Sequence, residues 1–405
     1  MRSGLEALLD DPSRLSGAAH PLTGLRVGRG ARVGLVCNHT AVDRELRHAI
    51  DLLQAAGVNL VRLFGPEHGV RATAQMMVDV DEARDPVSGL PTVSLYGSSA
   101  ASLHPAEDAL ADLDVVLFDI QDIGTRYYTY QATLGFVMRV AGKLGVKVIV
   151  LDRPNPIGGV VVEGNTVNPG FESFVGAFPL AVRHGMTVGE IARWFVRFGG
   201  VSCELEVVAC DGWRRSQWFD QTGLPWVYPS PNMPTLDTAI VYPGMCLVEA
   251  TNISEGRGTT RPFHLLGAPW LDPQKLVALA AAGAERAGLV GARFRPAAFI
   301  PSFEKHTGEP CTGMEVHVVD RDRLAPLLLG LVALEAVRAA DPERFGWRTE
   351  PYEFIADVPA IDLLTGSAEY RTILESGGSV RDLVAGWEPQ RQAFLAQRAE
   401  CLIYG

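Results

Sequence analysis

No stretch of the chain approaches the roughly 18 uninterrupted apolar residues that a membrane-spanning helix needs, so no membrane span is expected. Basic residues are also in short supply. There are 36 Lys and Arg against 47 Asp and Glu, a net charge of −11. A sequence-independent nucleic-acid surface needs clustered Lys and Arg, so no nucleic-acid partner is expected. Cysteine is sparse: six residues, at 37, 203, 210, 246, 311 and 401, with no C-x-x-C pair. Most lie in or beside apolar runs, which reads as reduced, packed thiols. The first residues lack the apolar core of a signal peptide, so a cytoplasmic location is expected. Secretion is the alternative, should a leader precede them.

Several chemical signatures are missing as well. The P-loop pattern G-x-x-x-x-G-K-[ST] does not occur. Gly28, Gly30 and Gly34 do not have dinucleotide spacing, and they precede an apolar run instead of following one. They read as a turn entering the first strand. G-x-S-x-G is absent, which argues against an α/β-hydrolase elbow; Ser230 and Ser254 sit in loops with no evident base partner. Neither H-x-x-x-H nor H-E-x-x-H is found, so the histidines are read as hydrogen-bonding or acid/base groups. No metal and no cofactor are expected.

What the chain does have is four short apolar runs, each ending in polar, reactive side chains. Val33–Val36 leads to Asn38-His39-Thr40, and Leu60–Phe64 to Gly65-Pro66-Glu67-His68-Gly69. Val115–Phe118 leads to Asp119, Gln121 and Asp122, and Val146–Leu151 to Asp152-Arg153-Pro154-Asn155. Such runs read as buried parallel strands. In an open α/β sheet, ligands bind outside the carboxyl ends of the strands. Residues far apart in sequence should therefore line one rim.

Helical spacing separates the runs. Ala49–Ala56 is stopped by Gly57, and Leu134–Leu144 by Gly145. Thr187-Val-Gly-Glu190 is a capping box, and Glu204–Ala209 looks like a further strand. The proline-rich stretch 224–244 reads as an ordered loop or domain junction. Beyond it, a helix opens at Asp272-Pro273 and ends near Gly288; Gly313–Val319 reads as a strand and Leu324–Ala340 as a helix. With 405 residues, two domains are expected: an α/β domain over 1–235, and an α+β domain over 236–405.

Glu67 is the leading candidate for catalysis. A carboxyl group against an apolar wall gains pKa and can act as a general acid. An ion pair with Arg62 or Arg71 is the plainer alternative. Asp119, Asp122, Arg126 and the tyrosines up to Tyr130 suit a sugar site, since aromatic faces pack on C–H surfaces and carboxylates hold hydroxyls. The loop 251–260 adds Asn252, Glu255 and Arg257 between glycines.

Six motifs, in order, resemble one family. They are Leu63-Phe-Gly-Pro-Glu-His-Gly69, Phe118-Asp-Ile-Gln-Asp-Ile-Gly124, Leu151-Asp-Arg-Pro-Asn-Pro156, Arg183-His-Gly-Met-Thr187, Pro229-Ser-Pro-Asn-Met-Pro-Thr235 and Ser254-Glu-Gly-Arg-Gly-Thr-Thr260. Together they resemble the exo-β-N-acetylmuramidases of the NamZ type. The resemblance implies a Rossmann-like, mostly parallel sheet, then a smaller α+β domain, with the cleft between. It also implies release of N-acetylmuramic acid from the non-reducing ends of peptidoglycan fragments, with Glu67 as acid/base. His68, Asp119 and Asp122 join Glu67 as expected catalytic residues. Asn38, Arg126, Tyr130, Asp152, Arg153, Asn155, His184, Asn232, Asn252, Glu255 and Arg257 are the expected substrate-binding set. Ala72, Met76-Met77-Val78 and Ala250 depart from the family's pattern, so an altered subsite is expected. A saccharide-binding protein that has lost turnover is the competing expectation.

Overall fold

The structure is a computed structural model, described here for residues 1–11, 30–71 and 84–405. Gly28 and the departures at 72–78 lie outside these residues. Six strands form a wholly parallel sheet in the order β3-β2-β1-β4-β5-β6: β1 Val33–Cys37, β2 Leu60–Gly65, β3 Thr92–Ser94, β4 Val115–Asp119, β5 Lys147–Leu151 and β6 Leu205–Val208. This order reverses between β1 and β4, which is where a doubly wound sheet opens a crevice. Every residue of β1 and β4 is buried, which accounts for their unbroken apolar runs. Helices cover both faces. Tyr130–Leu144 ends where Gly145 turns left-handed at φ 70°, and Val188–Arg197 begins at the Thr187/Glu190 capping box read from the sequence.

The second sheet is antiparallel, in the order β7-β9-β8, with β7 Leu265–Ala268, β8 Ala292–Phe299 and β9 Cys311–Val318. A long helix, Pro273–Ala287, packs on it, a second, Pro326–Ala340, packs on the first, and four shorter ones follow between Ala360 and Ala399. The expected α/β sheet with a smaller α+β unit is therefore present.

The 224–244 stretch departs from its loop reading. Its second part is a helix, Leu236–Met245, capped by Thr235 and carrying Pro243 inside it. This helix crosses Pro326–Ala340 so closely that a Cβ on Gly244 would lie 1.8 Å from Pro326 O, and one on Gly330 would lie 2.1 Å from Gly244 O. Only glycine fits at this contact. One hydrophobic core runs from Val36 to Cys401 through both parts of the chain, and a second fills the other face of the parallel sheet. The six cysteines form no disulfide, and all but Cys203 are buried. Among the described residues, no helix is long and apolar enough to cross a membrane.

Candidate active site

Beyond β2 the chain must turn sharply to leave the sheet. Gly69 N–H closes the turn on Pro66 O at 2.8 Å, with His68 at φ 72° and Gly69 at φ 83°. A left-handed histidine is uncommon, and it fixes where the side chains on either side project. Glu67 and His68 thereby face a partly open cavity of about 40 Å³. Thr129 Oγ1 donates to Glu67 Oε2 at 2.9 Å. Neither arginine named as a plainer partner is committed to Glu67: Arg62 pairs with Asp112, and Arg71 with Asp85.

The cavity walls come from both parts of the chain. Tyr127, Tyr128 and Tyr130 enter after β4, and Ser230 and Met233 from the proline-rich loop; Tyr242, Glu249, Arg257, Phe263, Tyr352 and Glu353 belong to the second part. Tyr130 donates to Pro229 O at 2.6 Å, so the ring is held upright on the wall. Arg257 lies between two carboxylates, 2.6 Å from Glu249 Oε1 and 3.1 Å from Glu255 Oε1, with its guanidinium 5.0 Å from the centre of the Phe263 ring. Burial pulls its pKa down, but Glu249 and Glu255 more than reverse this and leave it raised. Lys305 then holds the second oxygen of Glu255 at 3.0 Å. Burial alone would raise the Glu255 pKa; Lys305 and Arg257 bring it below the usual range.

Of the fifteen residues expected at the site, Glu67, His68, Tyr130 and Arg257 line this cavity. The others are placed differently, and the reasons are physical. Asp119 is fully buried and held by both ends of the Arg153 fork, at 2.5 and 2.9 Å. Asp152 accepts hydrogen bonds from Thr187 Oγ1, Gly189 N and the Tyr404 hydroxyl. Asn155 spans Met186 O and Ile157 N, and Asn38 turns back on Thr40. Arg126 donates to three carbonyls, Asn165, Leu180 and Leu364, at 2.8–2.9 Å. Asn252 joins Arg344 O and Gly346 N. Asn232 is buried between the cavity residues Ser230 and Met233. Most of the polar rim thus braces the loops that carry the cavity.

Asp122 and His184 form a buried pair behind it, with His184 Nε2 3.8 Å from Asp122 Oδ2. Burial raises the Asp122 carboxyl to about 7. It lowers His184 to about 3, with Arg398 and Arg126 adding to the effect. Among the described residues, no three His, Cys, Asp or Glu side chains converge to hold a metal ion.

The sequence reading missed Glu249, Tyr242, Tyr352 and Glu353. For the last two a signal existed: Pro351-Tyr-Glu-Phe354 sets an acid between aromatics directly after a proline.

Comparison with known proteins adds the following. The family described as exo-beta-N-acetylmuramidase NamZ matches in two parts, its N-terminal pattern over residues 33–237 and its C-terminal pattern over 240–404. The peptidoglycan beta-N-acetylmuramidase NamZ of Bacillus subtilis (strain 168) is 40% identical over 377 residues, 93% of this chain and 87% of that protein. A DUF1343 family protein of Bacteroides fragilis superimposes with a TM-score of 0.86 at 33% identity, over 100% of this chain and 99% of the other. A second from the same organism gives 0.73 at 25% identity, over 100% and 98%.

Proposed function

The chain belongs to the exo-β-N-acetylmuramidase NamZ family, and from that membership we propose a glycosidase that releases N-acetylmuramic acid from the non-reducing ends of peptidoglycan fragments, with Glu67 as general acid/base. The observation that carries the Glu67 assignment is its position. It lies on a fixed turn at the carboxyl end of β2 and faces a cavity walled by tyrosines. Tyrosine faces suit the C–H surfaces of a pyranose ring.

An arginine among the expected binding residues would be the natural partner for the lactyl carboxylate of N-acetylmuramic acid. Arg257, Arg126 and Arg153 are each engaged within the protein. Arg257 is the one of the three that lines the cavity, and it braces Glu249 and Glu255. Its contribution is then to keep that wall close to neutral, so that an anionic sugar is not repelled.

The test is incubation with a chromogenic β-N-acetylmuramide and, in parallel, the β-N-acetylglucosaminide. Preferential release from the muramide is the expected result. Saturable binding of muramic-acid saccharides with no release from any of them would instead favour a binding protein.

A further inference from the structure

We propose that Glu353 is a second catalytic residue of this cavity, forming with Glu67 a carboxyl pair that holds one proton between its members. This rests on the glycosidase reading above. It begins from an anomaly in the backbone. Tyr352 and Ile355 bond to each other in both directions, at 2.9 and 3.0 Å, closing a tight turn. The two residues inside it, Glu353 and Phe354, have φ of 46° and 68°. Turns with positive φ at both central positions favour Gly, Asn and Asp. Glutamate and phenylalanine there indicate a conformation held for the side chains it presents. Strain of this kind gathers at functional sites.

The side chains support this. Tyr352 and Glu353 line the cavity, and the Phe354 ring packs 5.6 Å from that of Tyr96. The Tyr96 hydroxyl donates to Glu353 Oε2 at 3.2 Å. Tyr96 stands two residues beyond Ser94, and Glu67 two beyond Gly65; Ser94 and Gly65 are paired in register on β3 and β2. Glu67 and the holder of Glu353 thus both follow the ends of adjacent strands.

The other acids near the cavity are spoken for. Glu249 takes Arg257 on one oxygen and Tyr352 on the other, and Asp119 is clamped by Arg153. Glu353 is 5% exposed and, among the described residues, has no ion pair. Burial first, then the charge of Glu67, hold its pKa well above the usual carboxylate range. Glu249 pushes the same way, while the Tyr96 hydrogen bond and Arg348 oppose. Two carboxyl groups lining one cavity resist double ionisation.

In turnover the pair gives its proton to the glycosidic oxygen. The C1–O bond breaks, and its electrons stay on that oxygen. Water adds its oxygen to C1, and the proton it releases returns to the pair. The products are a hemiacetal sugar and the freed alcohol, with the pair again singly protonated.

The test is the pH profile of kcat/KM on a muramide for the wild type, Glu353→Gln and Tyr96→Phe, with melting temperatures taken on the same preparations. For Glu353→Gln we expect a loss of at least roughly 100-fold at neutral pH. Its alkaline limb should move to lower pH, because the high-pKa carboxyl of Glu353 is gone. Tyr96→Phe should move that limb to higher pH, because the charged form of Glu353 loses a donor. If Glu353→Gln does not fold, the direction of the Tyr96→Phe shift decides. A wild-type profile for both variants, or a lowered melting temperature with both limbs in place, would overturn the pairing while leaving the glycosidase reading intact. A wild type that cleaves no muramide at any pH would remove both.

Discussion

Arg126, fully buried among the strand-end loops of the parallel sheet, reaches across the molecule to donate to Leu364 O at 2.8 Å. With Asn165 O and Leu180 O it satisfies three carbonyls on two sides of the cavity. Arg126→Met should orphan all three, at about 1–3 kcal/mol each. Chemical denaturation is expected to show a lower midpoint. An unchanged midpoint would mean that water replaces the guanidinium.

Glu67→Gln should lower kcat on an unactivated disaccharide by about 10²–10⁴, the usual weight of general acid catalysis. A nitrophenyl muramide should lose less, since its leaving group needs little protonation. Equal losses on both substrates would take the proton donor elsewhere. Melting temperature should barely move, because the swap is nearly isosteric.

Arg257→Ala leaves Glu249 and Glu255 facing each other across the cavity wall. Removing one member of a buried ion pair costs about 3–5 kcal/mol. The variant should therefore melt early, and the muramide-to-glucosaminide ratio of the surviving fraction should stay near wild type. A changed ratio at unchanged stability would return Arg257 to direct contact with the lactyl group.

Asp122 and His184 make opposing predictions for stability against pH. The Asp122 pKa is raised from 3.8 to about 7. Between those values the folded chain keeps a proton that the unfolded chain has lost, so this carboxyl makes stability fall as pH rises. The His184 pKa is lowered from 6.5 to about 3. Between those values the unfolded chain holds the extra proton, so this ring makes stability fall as pH falls. From pH 3.8 to 6.5 the two slopes cancel. Asp122→Asn should expose the histidine slope, with melting temperature dropping toward acid. His184→Gln should expose the other, with melting temperature dropping toward neutrality. Parallel curves for the two variants would refute the opposed shifts.

Strand ends were easy to read because each run is apolar to its last residue and polar at the next. Val115–Phe118 followed by Asp119 is such a case, and it locates the rim of the sheet. The same signal cannot tell a cavity residue from a brace. Asp119 and Glu67 both follow buried strands, yet one closes on Arg153 and the other faces the chamber. That difference depends on the loop's left-handed step at His68, which no periodicity records. The helix Leu236–Met245 was hidden for another reason. Pro243 inside it and the prolines just before it outweigh its pattern, and its packing on Gly330 is a tertiary contact. Glu353 was hidden because its turn carries none of the usual turn residues.

Tyr404 donates to Asp152 Oδ2 at 2.5 Å, Ile403 N–H to Glu190 Oε1 at 2.8 Å, and Arg215 N–H to Gly405 O at 3.1 Å. Residues near position 400 thus complete hydrogen-bond shells belonging to β5 and to the helix behind it. On a ribosome the parallel sheet would emerge well before those residues. Until they arrive, the Asp152 carboxylate lacks one of its donors and the Glu190 carboxylate lacks another. Substitutions at residues 403–405 would therefore be felt at Asp152 and Glu190, far away in sequence.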